Sequence, residues 1–193
     1  QLNQVGGLQW IRLLYLYPTT VTTDTLTAIA DCDKVCKYVD LPLQHAADGV
    51  LARMRRPGTR ASYVRLIEKV RRMVPGVTLR TTFIVGFPGE TAREFAELRR
   101  FVEATGFDHV GVFTYSHEEG TAAGRLDDDV PRRVKVERQR ALMAMQRRLV
   151  AVANRGRIGQ AVRVMIDGRS PEHPLVIRGR LPGQAPDIDS VVY

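Results

Sequence analysis

Between residues 11 and 115 short apolar runs alternate with amphipathic helical segments, and this constrains the fold more than any other feature. IRLLYLY (11–17) is an apolar run closed by Pro18, the pattern of a strand buried on both faces, with Tyr15 and Tyr17 as large core residues. A helix is expected over about 23–31. CKYVDLPLQ (36–44) reads as the next strand, its ladder ending or bulging at Pro42. ASYVRLIEKVRRMV sets Tyr63, Leu66, Ile67, Val70, Met73 and Val74 on one helical face, and Pro75-Gly76 stops it. VTLRTTFIVG (77–86) is a third strand. Phe95, Leu98, Phe101 and Val102 then recur at helical spacing, and FDHVGVFTY (107–115) is a fourth strand. Strand, helix and strand at this spacing predict parallel β/α units with right-handed crossovers. Four strands are too few for a closed eight-stranded barrel, so the expected class is α/β, a partial β/α barrel.

After a long polar loop (116–130), Pro131 is placed to open a helix running to about 153, with Val134, Leu142, Met145, Leu149 and Val152 as its packed seam. The pattern then changes. GQAVRVMIDG alternates like a strand, and VIRGR and SVVY follow between Pro and Gly turns, which reads as the opening of a small all-β module. The division expected is 1–155 for the β/α part and 156–193 for the module.

Hydrophobic residues make up 44% of the 193, enough for a sizeable core, and no run of 18 apolar residues suggests a membrane span. The start, QLNQVGGLQW, has no signal-peptide pattern and no initiator Met, so the expectation is a part of a longer cytoplasmic protein. The net charge of +8 is local: from Pro131 to Arg157 nine Lys or Arg residues stand against Glu137 alone. Such a stripe suits an RNA or ribosomal partner, or is simply a solvated helix face. The two cysteines, Cys32 and Cys36, cannot close a four-coordinate metal site and read as buried core.

Two stretches carry candidate chemistry. In FIVGFPGET (83–91), Gly86 and Gly89 free the backbone after a strand, Pro88 stiffens it, and Thr91 with Glu94 has the capping-box spacing. Neither a dinucleotide fingerprint nor a Walker A motif is present, and Glu90 would repel a phosphate. The turn reads as a plain β/α corner or as a neighbour of an uncharged adenosine at the strand ends, where β/α ligands bind. In LPLQHAADGVLARMRRPGT, Gln44 and His45 sit at a strand end, His45 as a candidate proton carrier without a visible partner. Arg53, Arg55 and Arg56 form a candidate anion-reading cluster. On the third strand Arg80 and Thr82 alternate with apolar neighbours, and a buried Arg80 would need a partner.

LPLQHAADGVLARMRRPGTR, TLRTTFIVGFPGET, FDHVGVFTYSHEEGTAA and APDIDSVVY resemble, nearly end to end, the methylthiotransferase family of radical S-adenosylmethionine enzymes. The branch most similar modifies an aspartate on a small-subunit ribosomal protein. The resemblance implies a larger protein with two 4Fe-4S clusters, one held by a C-x3-C-x2-C motif upstream of this chain, and a C-terminal TRAM domain that begins here. Cys32 and Cys36 are not that motif, since position 39 is Val39, so this polypeptide alone is expected to be inactive and to hold neither cluster. The family uses S-adenosylmethionine both as methyl donor and, cleaved reductively, to abstract a hydrogen atom. Gly86, Phe87, Pro88, Gly89 and Glu90 match its segment near the adenosine. Gln44 and His45 match an earlier strand end facing the centre, with Arg80 and Thr82 as further candidates for packing cofactor or substrate. No residue here is expected to be a sole catalyst, and the sulfur donor is not implied.

Two alternatives stand beside this. A related enzyme methylthiolates an adenosine in tRNA, but tends to carry Gln-Ser-Gly where this chain has Gln44-His45-Ala46. The acidic Asp187 and Asp189 also suit a basic ribosomal protein better than RNA, whereas the basic stripe would tolerate ribosomal RNA. The other alternative is a non-catalytic module that binds ribosomal protein or RNA.

Overall fold

The computed structural model describes all 193 residues. In chain order its elements are α1 (Thr23–Asp31), β1 (Tyr38–Asp40), α2 (Asp48–Arg53), α3 (Arg60–Met73), β2 (Thr78–Val85) and α4 (Ala92–Thr105). They continue with β3 (His109–Thr114), α5 (Arg132–Arg155), β4 (Met165–Arg169) and β5 (Ile177–Arg180). β1, β2 and β3 form a parallel sheet in that order, and β4 and β5 form a separate antiparallel pair that Val192 extends through a bridge to Gly179.

β2 sorts its side chains by parity. Leu79, Thr81, Phe83 and Val85 are buried, while Thr78, Arg80, Thr82 and Ile84 are half-buried on the opposite face. Leu79, Phe83 and Val85 pack with Leu26, Ile29, Ile67, Val70, Leu98, Phe101 and Leu142 in one core cluster, in which Phe83 meets Phe101 and Phe107 edge-on. Complete burial of a side chain such as Phe83 stabilises the fold by about 1.5–3 kcal/mol. Thr59 with Ser62 and Thr91 with Glu94 make reciprocal capping boxes at the starts of α3 and α4.

Several expectations change. The run 11–17 is not a regular strand. Ile11 makes one parallel bridge to Val35, and Leu16 N–H reaches Asp40 O at 2.9 Å. Between them Tyr15 takes φ +58° and is exposed, as is Tyr17. No strand of this chain lies on the run's outer side, so half its ladder has no partner here. Pro42 follows the end of β1, and beyond it the chain pairs again with β2 at a Gln44–Phe83 bridge. The short α2 was not anticipated. Cys36 is buried as expected, but Cys32 is only half-buried.

α5 lies along the free edge of β3 and meets part of it and the residues leading into it. Gln139 Nε2 donates to Val112 O at 2.8 Å, and Gln146 Nε2 to Phe107 O and Asp108 O at 2.9 and 3.1 Å. Pro131 is the N-cap of α5 rather than its first helical residue. Its seam is more polar than expected: Lys135, Arg138 and Gln146 are buried with Leu142 and Met145, while Val152 is 65% exposed.

The segment after β5 returns to the sheet. Asp189 accepts from Tyr38 Oη at 2.7 Å and from Ala185 N–H at 2.8 Å, and lies 3.5 Å from Arg80 Nε and 3.6 Å from His109 Nδ1. Residues from all three parallel strands thus converge on one carboxylate. No helix is long and apolar enough to cross a membrane.

Candidate active site

The turn after β2 is built by a carboxylate beneath it. Gly86 and Gly89 take φ +72° and +74°, which reverses the chain and brings the side chain of Glu90 back under the turn. Glu90 Oε2 accepts the N–H of Gly86 in a short bond and that of Phe87 at 3.2 Å. Its other oxygen lies 3.1 Å from Arg138 Nη1, which also donates to Glu90 O at 3.0 Å. Gly89 N–H is taken by Asp129 at 2.7 Å. Arg53 holds the outer rim: it donates to Pro88 O and Gly89 O at 3.2 and 3.1 Å and clasps Glu94 with bonds of 2.9 and 3.0 Å. The amides that would cradle a phosphate are therefore occupied, and a carboxylate sits behind them. The carbonyl of Gly86 accepts no hydrogen bond within the chain. This arrangement suits an uncharged polar edge and opposes an anion.

Gln44, at φ +70°, donates its N–H to Thr82 O and accepts from Ile84 N–H, which locks the end of the first β/α unit to β2. His45 behind it is fully buried. Its Nδ1 accepts the Ala47 N–H at 3.0 Å, so the proton of the neutral ring sits on Nε2, which lies 3.9 Å from Glu90 Oε2 and makes no hydrogen bond. Burial lowers the His45 pKa to about 3; nearby Glu94 opposes this, while Arg53 and Arg138 act in the same direction as burial. A neutral, sealed imidazole is not placed to relay protons to a ligand, contrary to the role considered for it. Burial also raises the Glu90 pKa, opposed by Arg138 and the two amides.

On the other face of the sheet, Arg80 Nη1 donates to Asp40 at 2.9 Å and reaches Thr82 Oγ1 at 3.4 Å. Arg80 therefore has its partners, Asp40 and Asp189, within the chain. Beside it a Cβ on Gly111 would make ordinary contacts, 3.5 Å from Thr82 Oγ1 and 3.7 Å from Arg80 Nη2, and Phe113 two residues on is exposed. Two cavities, of about 870 and 500 Å³, lie where α5 and the C-terminal segment meet the N-terminal ends of the strands; neither includes Gln44, His45 or Gly86–Glu90.

The candidate residues thus divide into groups. Gly86–Gly89 and Gln44 form the strand-end rim, His45 and Glu90 support it from below, and Arg80 with Thr82 stands on the open face. Arg53 is a structural clamp rather than an anion reader. Two members of the basic stripe are spent inside: Lys135 on Asp128 at 2.5 Å, and Arg138 on Glu90. Sequence reasoning missed Arg138, Asp129 and the anchoring role of Asp189, whose partners are far away in the chain. No group of three or more His, Cys, Asp or Glu residues is placed to hold a metal ion, so the residues present do not fit an iron–sulfur cluster.

Residues 7–102 match the Radical SAM superfamily. Over all 193 residues the chain is 49% identical to the ribosomal protein uS12 methylthiotransferase RimO of Geotalea uraniireducens, covering 43% of that protein. It is equally identical to the RimO of Aquifex aeolicus, covering 44%. The chain thus spans less than half the length of these relatives. Among solved structures it is similar to coproporphyrinogen III oxidase (HemN) from Escherichia coli, a radical SAM enzyme, with a TM-score of 0.61 and 19% identity over 72% of this chain and 32% of that one. The parallel sheet, the strand-end turn and the match over residues 7–102 agree: the chain belongs to the radical SAM superfamily.

Proposed function

We propose that this chain is part of an enzyme that installs a methylthio group on an aspartate of small-subunit ribosomal protein uS12. The observation that carries the reading is identity of 49% along the whole chain, through the all-β segment as well as the sheet. S-adenosylmethionine, when bound, supplies the methyl group and the carbon that abstracts hydrogen from the substrate. The residues here that would hold it are the backbone of Gly86–Gly89, with its free Gly86 carbonyl, and the open face bearing Thr82. Glu90, His45 and Arg138 keep that rim in place from beneath. Gln44 ties the rim to the neighbouring strand, and Arg80 is held off any substrate carboxylate by Asp40 and Asp189. The cluster ligands would come from residues outside these 193.

In the same reading, residues 156–193 are the start of a TRAM domain, and Asp189 docks it on the sheet. The enzyme would work in the cytoplasm, where its substrate is assembled, with ribosomal RNA as a second surface to contact. The test is mass spectrometry of uS12 from source cells with and without the gene encoding this chain. Loss of one methylthio group from one aspartate is the expected result. Unmodified uS12 in both cells, with a methylthioadenosine disappearing from tRNA, would transfer the assignment to the tRNA-modifying branch.

A further inference from the structure

The two faces of α5 use their charges differently. On the inner face Lys135 and Arg138 are buried in ion pairs, and Gln139 and Gln146 cap the edge of β3. On the outer face Arg140, Arg147, Arg148 and Arg155 recur at helical spacing, all exposed and none in an ion pair. The single acidic residue of α5, Glu137, is taken by Arg133 at 3.1 Å. Across the helix pair α4 presents exposed Arg99 and Arg100. Glu97 on α4 is engaged by Arg93 at 3.4 Å, and Glu103 makes no ion pair.

Between the helices lies a shallow groove of about 550 Å³ whose walls are Arg99, Arg147 and Arg148 and whose floor is Ala141, Ala144 and Ala151. No acidic side chain lines it. Alanines keep the floor low, so a bulky anion can descend between guanidinium groups whose planar forks match phosphate oxygens in pairs. An isolated charged helix face needs no floor, whereas a phosphate chain laid along the helices does. The candidate rim lies elsewhere, at the C-terminal ends of the strands, so an anion in this groove does not compete with a ligand at the rim.

We propose that the α4–α5 groove docks the phosphate backbone of RNA, and that in the assembled small subunit it grips ribosomal RNA while the strand ends address the protein substrate. The identity of the RNA rests on the function proposed above; the polyanion chemistry does not.

The test uses the full-length enzyme, wild type and with Arg99→Gln, Arg140→Gln, Arg147→Gln and Arg148→Gln combined, and measures binding to protein-free small-subunit ribosomal RNA, to isolated uS12 and to a polyglutamate of matched charge. Each neutralised phosphate contact should flatten the log–log dependence of affinity on salt by about 0.7–0.9, so four should remove roughly 3 units of slope. Affinity for RNA should fall at least tenfold, while binding to isolated uS12 is unchanged. The fourfold Arg→Lys variant should keep most of the slope, because charge is kept, and this separates docking from a folding defect. Wild-type RNA affinity and slope in the Gln variant would overturn the proposal. So would an equal loss of uS12 binding, or polyglutamate bound as tightly as RNA. Since no turnover is read, absence of uS12 modification would refute the proposed function without touching this result.

Discussion

His45 Nε2 and Glu90 Oε2 lie 3.9 Å apart in a site from which solvent is excluded. Burial of each group shifts its titration and so shapes the pH response of the strand-end turn. His45 is held neutral in the folded chain, its pKa lowered to about 3 from 6.5. Below about pH 6.5 the unfolded chain binds a proton that the folded chain refuses, so this contribution is present above that pH and is lost as pH falls towards 3. Glu90, raised by burial, acts the other way: its unfavourable contribution is relieved as pH falls towards and below its folded pKa. Wild type should therefore lose stability between about pH 6.5 and 5 by roughly 1.4 kcal/mol per unit from His45. His45→Gln should be flatter over that window. Urea melts of both proteins at the two pH values give the difference; parallel curves would mean that His45 titrates normally.

Removing the carboxylate tests what holds the turn. Glu90→Ala strands the amides of Gly86 and Phe87 and leaves Arg138 buried without its counter-charge, a change that costs about 3–5 kcal/mol. Glu90→Gln keeps an acceptor for the amides and should cost less. Denaturant unfolding should rank wild type above Gln and Gln above Ala. If the Ala variant were as stable as the Gln variant, the amides would not depend on this side chain.

Gly86 has two reasons to be glycine. Its φ of +72° strains any L side chain, and a Cβ there would overlap the stem of Lys135. Gly76 has φ +74° with open space around it, and so carries the first cost alone. Gly76→Ala should destabilise by about 1–2 kcal/mol. Gly86→Ala should cost distinctly more, because Lys135 must also leave Asp128. Equal losses in thermal melts would show that Lys135 simply moves aside.

What was legible in the sequence follows from periodicity. α1, α3 and α4, the strands β2 and β3, the break at Pro42 and the capping box at Thr91 are local patterns, and the structure has them where expected. The run 11–17 misled because apolar composition reports the capacity to be buried, not whether a neighbour is there to bury it. The polar seam of α5 was hidden for the opposite reason. Lys135 and Arg138 look like surface charge until Asp128 and Glu90 are seen beside them, and only the turn of the chain at 86–90 brings them there. The candidate site was visible as a turn and a strand end, but the carboxylate that joins them was read as a charge facing a ligand when it faces the protein.

Asp189 gives the last prediction. It collects Tyr38 Oη, the Ala185 amide, Arg80 and His109, and joins the segment after β5 to the first residues of the parallel strands. Burial and the bond to Asp189 hold the Tyr38 phenol well above its ordinary pKa, so it remains a donor at any physiological pH. Asp189→Ala leaves that hydroxyl and the amide unpaired, at about 1–3 kcal/mol for each buried group, while Arg80 keeps Asp40. Asp189→Asn retains an acceptor and should cost only about 1 kcal/mol. The loss should be local because the main core does not include this segment. In native-state hydrogen exchange of the Ala variant, the amides of Ala185, Gly179 and Val192 should lose protection, while those of Phe83 and Val85 in β2 keep theirs. Uniform loss across both sets would mean that Asp189 supports the whole sheet and that the two parts of the chain unfold as one.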